Sequence, residues 1–192
     1  MNENGGKNSY HTLKGQLLLK PAPVLPPAPS APSKDIAHAI SSLSIHPSLE
    51  VALHILNDDL PSAHFLVRKM QAAPRYEAMM LHGILHRIEG DYENTRAWYR
   101  DVKDSEVFNL AWPTLDEAMD FVRKVEILRK EKQGDLEQLQ HTSKREIAAV
   151  IDFCEKQFGT QAVEDASGIW IQDEKSSDQG NQMTLGEGWR QF

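Results

Sequence analysis

From Ser33 to Gly159 the apolar positions recur at the spacing of one helix face, and nothing in that stretch alternates as a half-buried strand would. The pattern predicts an all-α domain over residues 34–159, made of antiparallel helical hairpins packed as a compact bundle. Ser33 is suited to cap a short helix, Lys34–Leu43, and Pro47 introduces a second, Ser48–Leu56. After the turn Asn57-Asp58-Asp59, a third helix covers Pro61–Ala72 with Ala63, Leu66, Val67 and Met70 on one face. It stops before Pro74, whose ring disfavours helix in the residue preceding it. A fourth helix spans Arg75–Glu89. Gly90 then suits the left-handed residue that closes a helix, and Asp91 suits the cap of the next one, Tyr92–Val102.

Ser105–Pro113 reads as a loop that folds back on the bundle through Val107, Phe108, Leu110 and Trp112. Thr114 and Glu117 have the capping-box spacing and open a helix that continues to about Glu131. Gly134-Asp135 interrupts the pattern, and a long helix over Leu136–Phe158 ends against Gly159. The two ends of the chain have a different composition. Half of the positions in Pro21–Pro32 are proline, so residues 1–33 are expected to form a disordered arm whose proline-rich part is an extended polyproline II spacer outside the core. Residues 160–192, rich in Gly, Ser, Gln and Asp, are expected to be a mostly disordered tail, with Ile169-Trp170-Ile171 and Trp189 as points able to dock.

Two adjacent segments share one plan, Ser48–Ala72 and Arg75–Val102. Ala63, Val67 and Met70 of the first take the same relative places as Thr95, Tyr99 and Val102 of the second, an offset of 32 residues. In the second segment the small residue Gly83 precedes a Gly90-Asp91-Tyr92 turn, and Tyr99 supplies the aromatic of the second helix. Over about 55 residues the pair resembles degenerate tetratricopeptide hairpins, whose period is about 34 residues. Thr95 and Val102 stand where that family usually has alanine, and the first hairpin lacks the Gly-containing turn. The resemblance implies a peptide- or protein-binding scaffold with a shallow groove, since two hairpins are fewer than the usual three or more repeats. The stretch His82–Tyr92 is also similar to one in small fungal and bacterial proteins, a likeness that implies no function.

Charge narrows the partners. With 28 Asp and Glu against 21 Lys and Arg, the formal charge is −7, and clustered cations for phosphate contacts are missing, so no nucleic-acid partner is expected. Cys154 is the sole cysteine, which excludes an intramolecular disulfide and any thiolate-based zinc or iron–sulfur site within one chain. No run reaches the roughly 18–20 consecutive apolar residues of a membrane span. These features point to a cytoplasmic or nuclear protein with no membrane partner. A Gly-rich phosphate loop is absent from the sequence as well.

Candidate chemistry gathers on the fourth helix. Met80, Leu81, Ile84, Leu85 and Ile88 make it apolar around most of its girth, yet His82, His86 and Glu89 are set into it. At about 100° per residue, His86 lies about 40° to one side of His82 and Glu89 about 20° to the other, so the three form one stripe. Two imidazoles one turn apart can share a divalent metal ion, with Glu89, His54, His64 or Asp91 completing the shell. Alternatively His82 or His86 serves as a general base held by Glu89 or Asp91, although no nucleophile is recognisable nearby. The plainer reading has these histidines hydrogen-bonding across the helix pair. Arg87, Trp98 and Arg100 are of types that dominate binding hot spots and form a second candidate set. Its plainer reading is core filling by Trp98 and Tyr99, with Arg87 paired to Glu89, Asp91 or Glu93. The function expected from all this is a non-catalytic helical scaffold for a protein or peptide partner, tethered by the proline-rich arm. The alternative is a small metal-dependent or acid–base enzyme with its site on residues 75–89.

Overall fold

A computed structural model describes residues 3–170, with side chains from residue 9 onward. Among these residues the regular structure is entirely helical: α1 (Glu3–Leu19), α2 (Lys34–Ser42), α3 (Pro47–Leu56), α4 (Leu60–Val67), α5 (Tyr76–Glu89), α6 (Tyr92–Val102), α7 (Glu106–Ala111), α8 (Leu115–Glu131) and α9 (Leu136–Phe158). A single 3-10 turn, Arg68–Met70, continues α4. Side-chain caps set the boundaries. Ser33, Asp59, Asp91, Ser105, Thr114 and Asp135 each accept a hydrogen bond from the amide three residues ahead, at 3.0–3.3 Å, which satisfies a donor the helix leaves unpaired. Gly90 closes α5 at φ 93°, a conformation a side chain resists.

The two segments with a shared plan are two helix pairs. A Cβ at Gly83 would stand 2.9 Å from Tyr99 Cε1 and 3.0 Å from Trp98 Cβ, so α5 and α6 approach closely enough to require glycine there. Residues 83 and 99 are equidistant from the turn at Asp91, which makes the pair antiparallel. Across α3 and the 3-10 turn after α4, Ser48 Oγ lies 3.8 Å from Met70 Sδ in the same sense around Asp59. Ala63, Val67, Met70, Thr95, Tyr99 and Val102 are all fully buried. Both α3 and α4 pack on α5, α9 packs on α3, α5 and α7, and α8 packs on α6 and α9. The result is an all-helical fold compatible with a helical repeat-like arrangement. None of the described helices is long and apolar enough to cross a membrane.

Three expectations need correction. The N-terminal arm contributes to the core: Tyr10, Leu13 and Leu17 are buried at the i, i+3, i+7 spacing of an amphipathic helix, and Lys14 Nζ pairs with Glu155 Oε1 of α9 at 2.7 Å. Beside Glu155, burial pushes the Tyr10 phenol well above its ordinary value, and the carboxylate adds to the shift. The prolines do keep residues 21–32 out of helix, yet Ala22 and Val24 are buried and Pro23 O accepts from Ser143 Oγ at 2.8 Å. Proline removes a donor but leaves its carbonyl as an acceptor, so an extended segment can still be bound into a core. The second correction is α7, where a loop was expected: Ser105 Oγ accepts from Phe108 N and starts a helix that buries Val107 and Phe108. The third is the end of α4, which tightens to 3-10 after Val67 instead of continuing to Ala72. The region 171–192, including Ile171 and Trp189, lies outside the described residues.

Candidate functional site

The polar stripe of α5 faces α4. His82 and His86, one turn apart, stack with ring centroids 4.7 Å apart, and Trp98 of α6 stacks on His82 at 4.8 Å. His64 of α4 meets both histidines edge-on, at 5.4 and 5.6 Å. Its Nε2 is 2.8 Å from Glu89 Oε1, while the other Glu89 oxygen is 3.9 Å from His86 Nδ1. Asp91, the cap of α6, places Oδ2 3.9 Å from His86 Nδ1. The three histidines are buried, whereas Glu89 is partly exposed. Glu89 therefore faces both His64 and His86, and Asp91 approaches the same His86 nitrogen from the next helix. His54, another candidate partner, is engaged elsewhere, with Nδ1 3.1 Å from Asp59 Oδ2 and Nε2 3.6 Å from Glu50 Oε1.

Stacking sets the limits of this cluster. His82 and His86 present ring faces to one another, at an interplanar angle of 20°. Among the described residues, no group of three His, Cys, Asp or Glu is placed to hold a metal ion.

Above the cluster lies a groove. The proline-rich segment is fixed at both ends, by the Ser143 bond to Pro23 O and by Asn57, whose Nδ2 donates to Ser33 O at 3.0 Å. Between those anchors Pro26, Pro27, Pro29 and Pro32 line one side of a cavity of about 590 Å³ that Leu60 and Pro61 of α4 also line. Its polar lining comes from His64, Glu89, Arg68 and Asp58. Burial pushes the Asp58 carboxyl above its ordinary value, against the opposing pull of Lys20. A largely apolar cleft of this size with a few polar groups is the usual form of a binding site.

The second candidate set does not assemble. Arg87 is fully buried and is withdrawn from any surface. One residue beyond His86 means about 100° around the axis, which turns Arg87 away from the histidine stripe and toward α9. There its Nη2 donates to Glu146 Oε2 at 2.8 Å and to Ser143 Oγ at 3.1 Å, so its partner is none of Glu89, Asp91 or Glu93. Glu146, also fully buried, accepts from Tyr99 Oη at 2.5 Å and from Trp112 Nε1 at 2.7 Å. The Phe121 ring lies 4.7 Å from the guanidinium carbon. Burial, the largest single influence, would lower the Arg87 pKa, but the Glu146 carboxylate and the Tyr99 hydroxyl together outweigh it and the net shift is upward. Trp98 is half-buried against His82, and Arg100 is exposed on α6, apart from both.

Sequence reasoning passed over Glu146 and Ser143. A signal was present: both fall in the stripe of α9 that carries Leu139, Ile147, Val150 and Cys154, and a carboxylate at a core position calls for a buried partner. Arg129 of α8 donates from Nη1 to Glu89 O and closes the end of α5. Compared with known proteins, the chain matches no family model, no curated protein and no solved structure.

Proposed function

We propose that this chain is a non-catalytic helical scaffold that binds a protein or peptide partner. Its pairs α3/α4 and α5/α6 serve as tetratricopeptide-like hairpins, and the groove between α4 and the proline-rich segment takes the partner. The observation that supports this reading is the groove itself, about 590 Å³ with apolar sides and four polar groups. Prolines held in extended conformation lose little entropy on binding, and they offer flat faces to an aromatic or aliphatic side chain. The test is quantitative affinity capture from the source cells with the full chain and with an Ala28→Glu/Arg68→Glu variant whose helix content is checked by circular dichroism. A partner enriched by the native chain and depleted about tenfold or more with the variant is expected. Equal recovery with both, or no specific enrichment, would reject the reading.

A second reading, acid–base chemistry, draws on one observation, the 2.8 Å pair of His64 and Glu89 lining the same groove. A carboxylate that orients an imidazole is the arrangement general bases use. Its test is Glu89→Gln, which keeps the shape and removes the charge. Loss of an activity assayed on captured material, with capture itself retained, would favour the enzyme, whereas a loss of capture alone would favour the scaffold.

A further inference from the structure

The chain between Phe158 and Trp170 follows a fixed course over the hairpins. Val163 N donates to Ser44 O at 2.7 Å, beside the start of α3, and Gly168 O accepts from Arg75 Nη2 at 3.1 Å, beside the start of α5. Ile169 and Trp170 then pack against the core, and the Trp170 ring lies 5.3 Å from Lys69 Nζ. Lys69 follows directly on Arg68, which lines the groove. The described chain therefore arrives at the end of α4, the helix that borders the cleft.

We infer that the groove between α4 and the proline-rich segment is the seat of this chain's own residues 171–192, which an external partner must displace. The inference rests on the groove being a peptide-binding surface and adds its regulation. Reach is ample: 22 residues follow Trp170, and they extend to about 70 Å at about 3.3 Å each, against about 12 Å for the eight residues of α4. The chemistry matches too. Met183, Leu185, Trp189 and Phe192 supply apolar side chains for the proline-lined cleft, Asp173, Glu174, Asp178 and Glu187 supply carboxylates for Arg68, and Lys175 and Arg190 supply cations for Glu89 and Asp58. A segment tethered at the groove competes at an effective concentration on the order of millimolar, so even a weak intrinsic affinity suffices to fill the site.

The experiment places a photo-crosslinker at the exposed groove residue Ala28 of the full chain, as Ala28→p-benzoylphenylalanine, and maps the products by mass spectrometry. The expected result is an intramolecular crosslink, in the monomer fraction, from position 28 to the tryptic peptide 176–190. A Trp189→Ala substitution in the same chain should lower its yield about fivefold or more, as loss of an aromatic anchor does. Crosslinks to that peptide found only in dimers would overturn the inference, because the occupant would then be a second copy's segment. Crosslinking in cell extract to a foreign protein with no intramolecular product would overturn the inference and leave the scaffold reading standing. No product of either kind would end both.

Discussion

Replacing Arg87 by methionine removes one half of a fully buried ion pair and leaves the Glu146 carboxylate in the core. Glu146 would keep its bonds from Tyr99 and Trp112, but the charge they partly stabilise would lose its counter-ion. Breaking a buried pair in this way costs about 3–5 kcal/mol. For a chain of this size that corresponds to a fall in Tm of about 6–20 °C. The pair is also a network, since Ser143 bridges Arg87 to Pro23 O and so ties the proline-rich segment to α5 and α9. The double variant Arg87→Met/Glu146→Leu removes both charges and leaves Tyr99 and Trp112 without their acceptor. It should cost less than the sum of Arg87→Met and Glu146→Leu by about 2 kcal/mol or more. Urea unfolding followed by tryptophan fluorescence measures all three, with the slope against urea checked for constancy. A cost below about 1 kcal/mol for Arg87→Met, or strict additivity in the double variant, would refute the claim that this pair holds the fold together.

Gly83→Ala should destabilise the chain by about 1–2 kcal/mol in the same assay, because the new methyl meets Tyr99 and Trp98 and overpacking outweighs the better helix propensity; no loss would mean that α6 can retreat freely. His46 caps α3 by accepting from Ser48 N and stacks on Phe158 at 3.7 Å, and burial, then Arg75, lowers its pKa from 6.5 to about 4. The unfolded chain thus takes up this proton first, and stability falls as pH drops from 6.5 to about 4. His46→Asn keeps a capping acceptor and should flatten that decline in pH-dependent denaturation, whereas an unchanged slope would contradict it. Glu77 has the opposite sign: burial raises its pKa above 4.5 although Ser48 Oγ donates to it at 3.2 Å and Arg75 is near. The unfolded chain releases that proton first, so stability is lost as pH rises from 4.5 through the folded-state value, and Glu77→Gln should gain on the native chain across that window; a pH-independent difference would count against it.

How much of this could be read from the chain depended on the range of each signal. Gly90-Asp91, Thr114 and Asp135 act on the backbone within three residues, so the starts of α6, α8 and α9 follow directly from residue identity. The helix α7 has only six residues, too few for periodicity to register, and only the Ser105 cap marks it. In α1 the apolar positions Tyr10, Leu13 and Leu17 are diluted by glycine and polar residues, and the neighbouring prolines dominate the composition. The stripe of His82, His86 and Glu89 was legible because it lies within one helix. Its completion by His64, and the pairing of Arg87 with Glu146 across 59 positions, depend on how helices pack and leave no local trace. The groove combines both limits, because proline content announces an extended segment but not the surface against which Ser143 and Asn57 fix it.

The cleft between the proline-rich segment and α4 is the proposed seat of the partner. Hydrogen exchange of the full chain, measured alone and saturated with the captured partner, tests this directly. Added protection concentrated in residues 26–32 and 60–68 is the predicted result. Protection confined to the Arg100 face of α6, or no change in the groove segments and none in residues 171–192 at a concentration that saturates binding, would contradict it.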